Sequence, residues 1–162
     1  QPQVIKERGR ANLIGFRQTE SDFEYSAKMN FLPKNNTSEA GISLFQKDDN
    51  YFTFTITKLG NKNNIKLKLA EPNKAAEILM SRNVPNFNGE ITFLVKSEHN
   101  SYSFYYALND KDFKLLDTTK SNLILSKKYT GSYLGVYASS NGRKTNEYAD
   151  FYWVKYKGIE RN

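Results

Sequence analysis

From Asp22 to Leu32 apolar and polar residues alternate, and that period limits what the segment can become. Phe23, Tyr25, Ala27, Met29 and Phe31 point one way, while Asp22, Glu24, Ser26, Lys28 and Asn30 point the other. Successive side chains leave opposite faces in an extended chain, so the segment is a half-buried antiparallel strand. Pro33-Lys34-Asn35-Asn36 breaks it. Ala40–Gln46 places Ile42 and Leu44 on one face, Asp48-Asp49-Asn50 turns, and Tyr51–Leu59 returns rich in Phe, Thr and Ile. Gly60-Asn61-Lys62-Asn63-Asn64 is read as the next turn, with Ile65–Leu69 as a third hairpin partner. Further strands are predicted at Glu77–Ser81, Ile91–Lys96, Tyr102–Leu108, Phe113–Leu116, Tyr133–Ser139 and Tyr148–Tyr156. Lys74–Met80 alone could pass for a helix, but it lies between Pro72 and Pro85 and is read as a strand or short turn. Many short strands with regular turn signals predict an all-β, antiparallel two-sheet β-sandwich in jelly-roll topology.

The chain has 162 residues and 18.7 kDa, one domain's worth of core. Residues 11–162 are expected to form a single sandwich, with the polar residues 1–10 as a connector or loosely held edge segment. The chain opens on Gln1-Pro2-Gln3 with no initiator Met or signal peptide, as expected of a mature product or a piece of something longer. No apolar run is long enough to span a bilayer, so no membrane insertion is expected. Cysteine is absent, which removes disulfides, thiol catalysis and thiolate metal sites. The single histidine, His99, excludes any site needing two imidazoles. It sits in a polar turn, Glu98-His99-Asn100-Ser101.

The net charge of +7 is spread along the chain. Lys66 and Lys68 alternate with Ile65, Leu67 and Leu69 in the manner of a solvated strand face, and Lys127-Lys128 and Arg143-Lys144 fall in loops. Such a distribution reads as solubility charge, and no nucleic-acid partner is expected. Glu20, Asp22 and Glu24 share a strand face, but nothing in the alternation desolvates them, so they read as a wet surface and not a glycosidase acid pair. Asp48, Asp49, Asp110 and Asp112 read as turn formers before calcium ligands. Gly15, Gly41, Gly131, Gly135 and Gly142 stand singly, as for bulges and turns.

Aromatic residues are the richest resource. Tyr102, Phe104 and Tyr106 share one face with Tyr105 on the other, and Tyr129, Tyr133, Tyr137, Phe151, Tyr152, Trp153 and Tyr156 follow. Most are expected in the core. Eleven tyrosines nonetheless exceed what a core accommodates, since each buried hydroxyl needs a partner. Ring faces at a surface suit the C–H face of a sugar.

Several segments also carry a resemblance. Ala138-Ser139-Ser140-Asn141-Gly142 followed by Tyr148-Ala149-Asp150-Phe151-Tyr152-Trp153-Val154-Lys155-Tyr156 resembles the end of the C-terminal concanavalin A-like β-sandwich of family-43 glycoside hydrolases, the β-xylosidase and α-arabinofuranosidase group. Gly15-Phe16-Arg17-Gln18, Glu39-Ala40-Gly41-Ile42 with Leu44-Phe45-Gln46, and Asn50-Tyr51-Phe52 resemble its earlier strands. Tyr102-Ser103-Phe104-Tyr105-Tyr106 with Asp110 and Phe113 resembles its hairpin, and Leu125-Ser126 with Tyr129-Thr130-Gly131 resembles its Leu-Ser…Phe-Thr-Gly. The segments come in the family's order over about residues 11–158.

The resemblance implies a non-catalytic accessory domain, because the family's catalytic carboxylates lie on an upstream five-bladed β-propeller. That propeller of the same polypeptide would be the partner, with plant cell-wall xylosides or arabinosides as the oligosaccharide and a periplasmic or extracellular location. The resemblance places Tyr129 as the aromatic at the substrate rim. The family's last strand often reads Ala-x-Phe-Asp-Trp-Phe, and its Asp can join a structural calcium site. Here Tyr152 occupies that position and Asp150 stands two residues earlier, so no metal and no cofactor are expected. The rival readings are a free-standing carbohydrate-binding module or lectin, and an electrostatic binder of nucleic acid or anionic polysaccharide.

Overall fold

Among the described residues, twelve strands carry the alternation into two antiparallel sheets. The computed structural model describes residues 3–8, 11–17, 22–34, 36, 38–47, 49–123, 133–139 and 149–159; of 3–8, 11–17, 47 and 133–139 it describes the backbone. In chain order the strands are β1 Gln3–Arg8, β2 Ala11–Arg17, β3 Phe23–Asn30, β4 Glu39–Lys47, β5 Asn50–Leu59, β6 Lys62–Ala70, β7 Glu77–Asn83, β8 Glu90–Glu98, β9 Ser101–Ala107, β10 Lys114–Lys120, β11 Tyr133–Ser139 and β12 Asp150–Gly158. One sheet runs β1-β2-β11-β4-β5-β6-β7 and the other β10-β9-β8-β3-β12. The late strand β11 enters between β2 and β4, and β12 closes beside β3, so both sheets are finished by distant sequence. This is the antiparallel two-sheet β-sandwich that the strand pattern predicts.

The core is the meeting of the two inner faces. Phe23, Tyr25, Ala27 and Met29 of β3 are fully buried, as are Phe93 and Val95 of β8 and Tyr102 and Phe104 of β9. Opposite them lie Ile42 and Leu44 of β4, Phe52, Phe54 and Ile56 of β5, and Ile65 and Leu67 of β6. Rings cross between the sheets: Phe54 meets Phe93 at 4.8 Å and Phe104 at 5.4 Å, while Phe52 meets Phe104 at 5.6 Å and Tyr102 edge-on at 6.0 Å. Each such pair adds about 0.5–1.5 kcal/mol beyond area burial.

One turn and three of the glycine placements are corrected, while the polar β8–β9 turn and the edge position of the N-terminal segment agree with the sequence reading. The turn read over residues 60–64 is only two residues long, because Leu59 already pairs with Lys62. Gly60 takes φ 60° at the first loop position, as a type II′ hairpin turn requires, and Lys62, Asn63 and Asn64 join β6. At the β8–β9 turn both His99 (φ 50°) and Asn100 (φ 66°) are left-handed, the type I′ pattern, and both are exposed. The polar segment at the N-terminus includes β1, which pairs antiparallel with β2 at the sheet edge. Gly15, Gly41 and Gly135 stand inside β2, β4 and β11 rather than at turns, while Gly131 and Gly142 lie outside the described residues. At Gly41 the reason is close approach: a Cβ there would run into the Phe54 carbonyl oxygen.

Lys66 also departs from expectation. Its Nζ lies 3.1 Å from Glu39 Oε2, and the two side chains are 14% and 1% exposed. Thr55 Oγ1 donates to Glu39 Oε1 at 3.2 Å. A carboxylate removed from water needs this partnering, so Lys66 is held by an ion pair and is not a solvated face residue.

Candidate functional site

Tyr129, the residue assigned to a substrate rim, lies outside the described residues, as do Glu20 and Asp48. Asp49 lies in the β4–β5 turn of the larger sheet and His99 in the β8–β9 turn, while Glu24 and Asp110 belong to the outer face of the five-stranded sheet and its rim. There β3 presents Glu24, Ser26, Lys28 and Asn30, all half-buried. Glu24 faces Lys96 of β8 and Lys157 of β12 across the ladder. A carboxylate between two cationic register partners on a half-buried face fits a surface charge lattice.

A bulge in β12 shapes this face. The register slips between Phe151 and Trp153, leaving Tyr152 without a place in the ladder. Phe151, Val154 and Tyr156 pack on the core, while Tyr152 turns outward and is 52% exposed. Asn30 Nδ2 donates to the Tyr152 hydroxyl at 3.4 Å, and Lys28 Nζ lies 5.6 Å from the ring centre. Lys155 sits 4.4 Å from the Trp153 ring, and Lys96 sits 5.3 Å from that of Tyr105. Three rings on this face thus each have an ammonium within cation–π reach.

The turn before β10 is tied into the same face. Lys28 Nζ donates to Asp110 Oδ2 at 2.7 Å, and Thr92 Oγ1 donates to Asp110 Oδ1 at 3.2 Å. The Asp110 hydrogen bond raises the Lys28 ammonium above its ordinary value, and the Lys28 bond holds the Asp110 carboxyl below the usual carboxylate range. Asn109 Oδ1 accepts from the amides of Lys111 and Asp112 at 3.1 and 2.9 Å, an Asx turn that leaves Asp110 at φ 69°. Among the described residues no cluster of three or more His, Asp or Glu side chains could hold a metal ion. Nor is any described helix long and apolar enough to cross a membrane. Sequence reading missed the Lys28–Asp110–Thr92 tie, because its members are up to 82 residues apart and no local pattern links them.

Two antiparallel sheets with aromatic inner faces and a polar, ring-bearing outer face define a concanavalin A-like β-sandwich. The chain belongs to the family described as the β-xylosidase C-terminal concanavalin A-like domain, matched over residues 1–157. It is 24% identical over 153 residues to a xylosidase/arabinosidase of Butyrivibrio fibrisolvens, covering 93% of this chain and 29% of that protein. It is 26% identical over 153 residues to the non-reducing end α-L-arabinofuranosidase BoGH43B of Bacteroides ovatus, covering 92% and 28%. Among solved structures, Bacteroides ovatus xyloglucan PUL GH43B superposes with a TM-score of 0.81 at 25% identity, over 91% of this chain and 29% of that one. A Saccharomyces cerevisiae protein of unknown function shares the fold at TM-score 0.70 and 13% identity, over 93% of this chain and 76% of that one. The chain therefore spans under a third of the length of the curated relatives it matches, and the part it matches is their non-catalytic C-terminal domain.

Proposed function

We propose that this sandwich serves as the accessory domain of a family-43-type glycosidase, bracing a catalytic propeller carried on the same polypeptide and shaping the wall of its substrate pocket. The observation that carries the reading is the match of residues 1–157 to a domain family of β-xylosidases, at 29% of a relative's length. Relatives bearing the names xylosidase/arabinosidase and arabinofuranosidase favour plant cell-wall xylosides or arabinosides as the parent's substrates, and a periplasmic or extracellular setting where such polymers are met. Tyr129 is the residue assigned to the pocket rim, where its ring would stack on the sugar and its hydroxyl meet a polar edge.

The test is Tyr129→Ala in the intact polypeptide that carries this domain. It should lower kcat/KM on xyloside or arabinoside substrates while leaving the thermal midpoint of the sandwich unchanged. Kinetics equal to the unmodified enzyme would remove Tyr129 from the site. The rival reading, a free-standing glycan binder, draws on the yeast chain in which this fold fills 76% of the polypeptide. Oligosaccharide binding by the 162-residue chain alone, at moderate salt, would favour it.

A further inference from the structure

At one side of the sandwich the two sheets end together, β7 closing the larger and β10 the smaller. Arg82 of β7 bridges the seam: its Nη1 donates to the Leu115 carbonyl of β10 at 3.1 Å and to the Tyr106 hydroxyl of β9 at 3.2 Å. Beside this bridge lies a pocket of about 270 Å³, walled by Arg82, Asn83, Asn86, Tyr106 and Lys114, with Val84, Pro85 and Leu108 as its apolar part. No carboxylate lines it.

The donors around it are only partly used. A guanidinium has five N–H groups, and the two bonds from Nη1 leave Nε and Nη2 uncommitted. Because Tyr106 accepts from Arg82, its own phenolic hydrogen remains available. Lys114 is exposed and forms no ion pair with any described residue. The segment that carries Asn86 is pinned at both sides, since Val84 (4% exposed) and Phe87 (6% exposed) are sunk in the core. The Val84 amide donates to Asn63 O at 2.9 Å, and the Phe87 amide to Val84 O at 3.1 Å. The pocket is thus held in shape before any ligand arrives, which lowers the cost of binding.

We propose that this seam pocket binds a carboxylate-bearing monosaccharide unit, a uronic acid. Two cations without a facing carboxylate select an anion, and a guanidinium is suited to a planar carboxylate. The amides of Asn83 and Asn86 can serve ring hydroxyls, while Pro85, Leu108 and the edge of Tyr106 offer apolar contact for the C–H face. The volume of about 270 Å³ falls just below the usual range of small-molecule sites, about 300–1,000 Å³, and suits one sugar ring rather than a long oligomer. The anionic half of the inference stands on this chain alone, and the saccharide half rests on the glycosidase reading above.

The test titrates the isotope-labelled 162-residue chain by NMR with methyl glucuronide, methyl glucoside and sodium acetate. Methyl glucuronide should give saturable shifts at Arg82, Asn86, Tyr106 and Lys114. The glucoside, lacking the carboxylate, should bind about tenfold more weakly, the size of one charge-assisted hydrogen bond. Lys114→Gln, an exposed substitution that leaves the fold intact, should weaken the glucuronide by a similar factor, and Lys114→Arg should restore it. Acetate binding as tightly as glucuronide would mark a simple anion site and overturn the proposal. So would unsaturable shifts, or indifference to Lys114→Gln. A failed titration beside an altered kcat/KM in Tyr129→Ala would remove this pocket while leaving the accessory-domain reading intact.

Discussion

The two sheets present very different outer faces, and two ion pairs show it. On the five-stranded sheet Lys28 meets Asp110 at 2.7 Å, with side chains 21% and 55% exposed. On the seven-stranded sheet Lys66 meets Glu39 at 3.1 Å, with side chains 14% and 1% exposed. The lysines are similarly placed; what differs is the acid. The shorter pair is the one bathed in water, so its attraction is screened and offset by the entropy of holding two mobile side chains. The longer pair encloses a carboxylate that has no water to fall back on. The same contrast runs along the strands. In β3 every outward residue is half-buried, whereas in β5 the outward Thr53, Thr55 and Thr57 are as buried as the inward Phe52, Phe54 and Ile56. The larger sheet is closed on both sides of its centre, and the smaller keeps one face available to a partner or ligand.

If burial of the acid sets the strength of these pairs, Lys66→Ala should be the most damaging of the surface-looking substitutions. Taking the facing ammonium from the buried Glu39 carboxylate, which keeps its Thr55 hydrogen bond, should cost about 3–5 kcal/mol, read as a fall in the urea midpoint at unchanged slope. Replacing both partners, with Lys66→Met and Glu39→Gln together, should recover much of that loss. A Lys66→Ala protein as stable as the parent would show that the larger sheet is not closed. Gly41→Ala tests the same closure through the backbone. The added methyl would meet the Phe54 carbonyl oxygen, forcing β4 from β5 at a cost of about 1–3 kcal/mol in the same denaturation experiment. No change would mean that the strands separate freely.

Much of this architecture is legible in the residues, and the limits are physical. The β3 alternation is unambiguous because Phe and Tyr must be buried while Glu and Lys prefer water. Threonine carries no such preference, so the closure over β5 leaves no mark in Thr53, Thr55 and Thr57. Lys66 looks solvated because its partner lies 27 residues away on another strand. No Gly or Pro flags the β12 bulge, which turns Tyr152 outward and breaks the two-residue period between Phe151 and Val154. The seam pocket is equally silent, since Arg82 and Tyr106 meet only when the two sheets stack. Tyr129 enters through family resemblance alone and lies outside the described residues.

The smallest expected effect belongs to the exposed pair. Lys28→Ala should destabilise far less than Lys66→Ala in parallel urea titrations, and equal losses would end the contrast between the sheets. Its partner should show itself in pH dependence. Because Lys28 lowers the folded-state value of Asp110 from the ordinary 3.8, the stabilisation is present above that value and lost as pH falls through the lower, folded one. Asp110→Asn should therefore make the acid-side decline in stability slightly shallower, and an identical decline would show that Asp110 is not so held.

The accessory-domain reading stands or falls on the polypeptide that natively carries this sandwich. Its mass, taken by antibody blot and intact mass spectrometry from the host, should lie well above 18.7 kDa, because the family's curated relatives devote only 28–29% of their length to the matched domain. A native species near 18.7 kDa would contradict the reading and leave a free-standing glycan binder in its place.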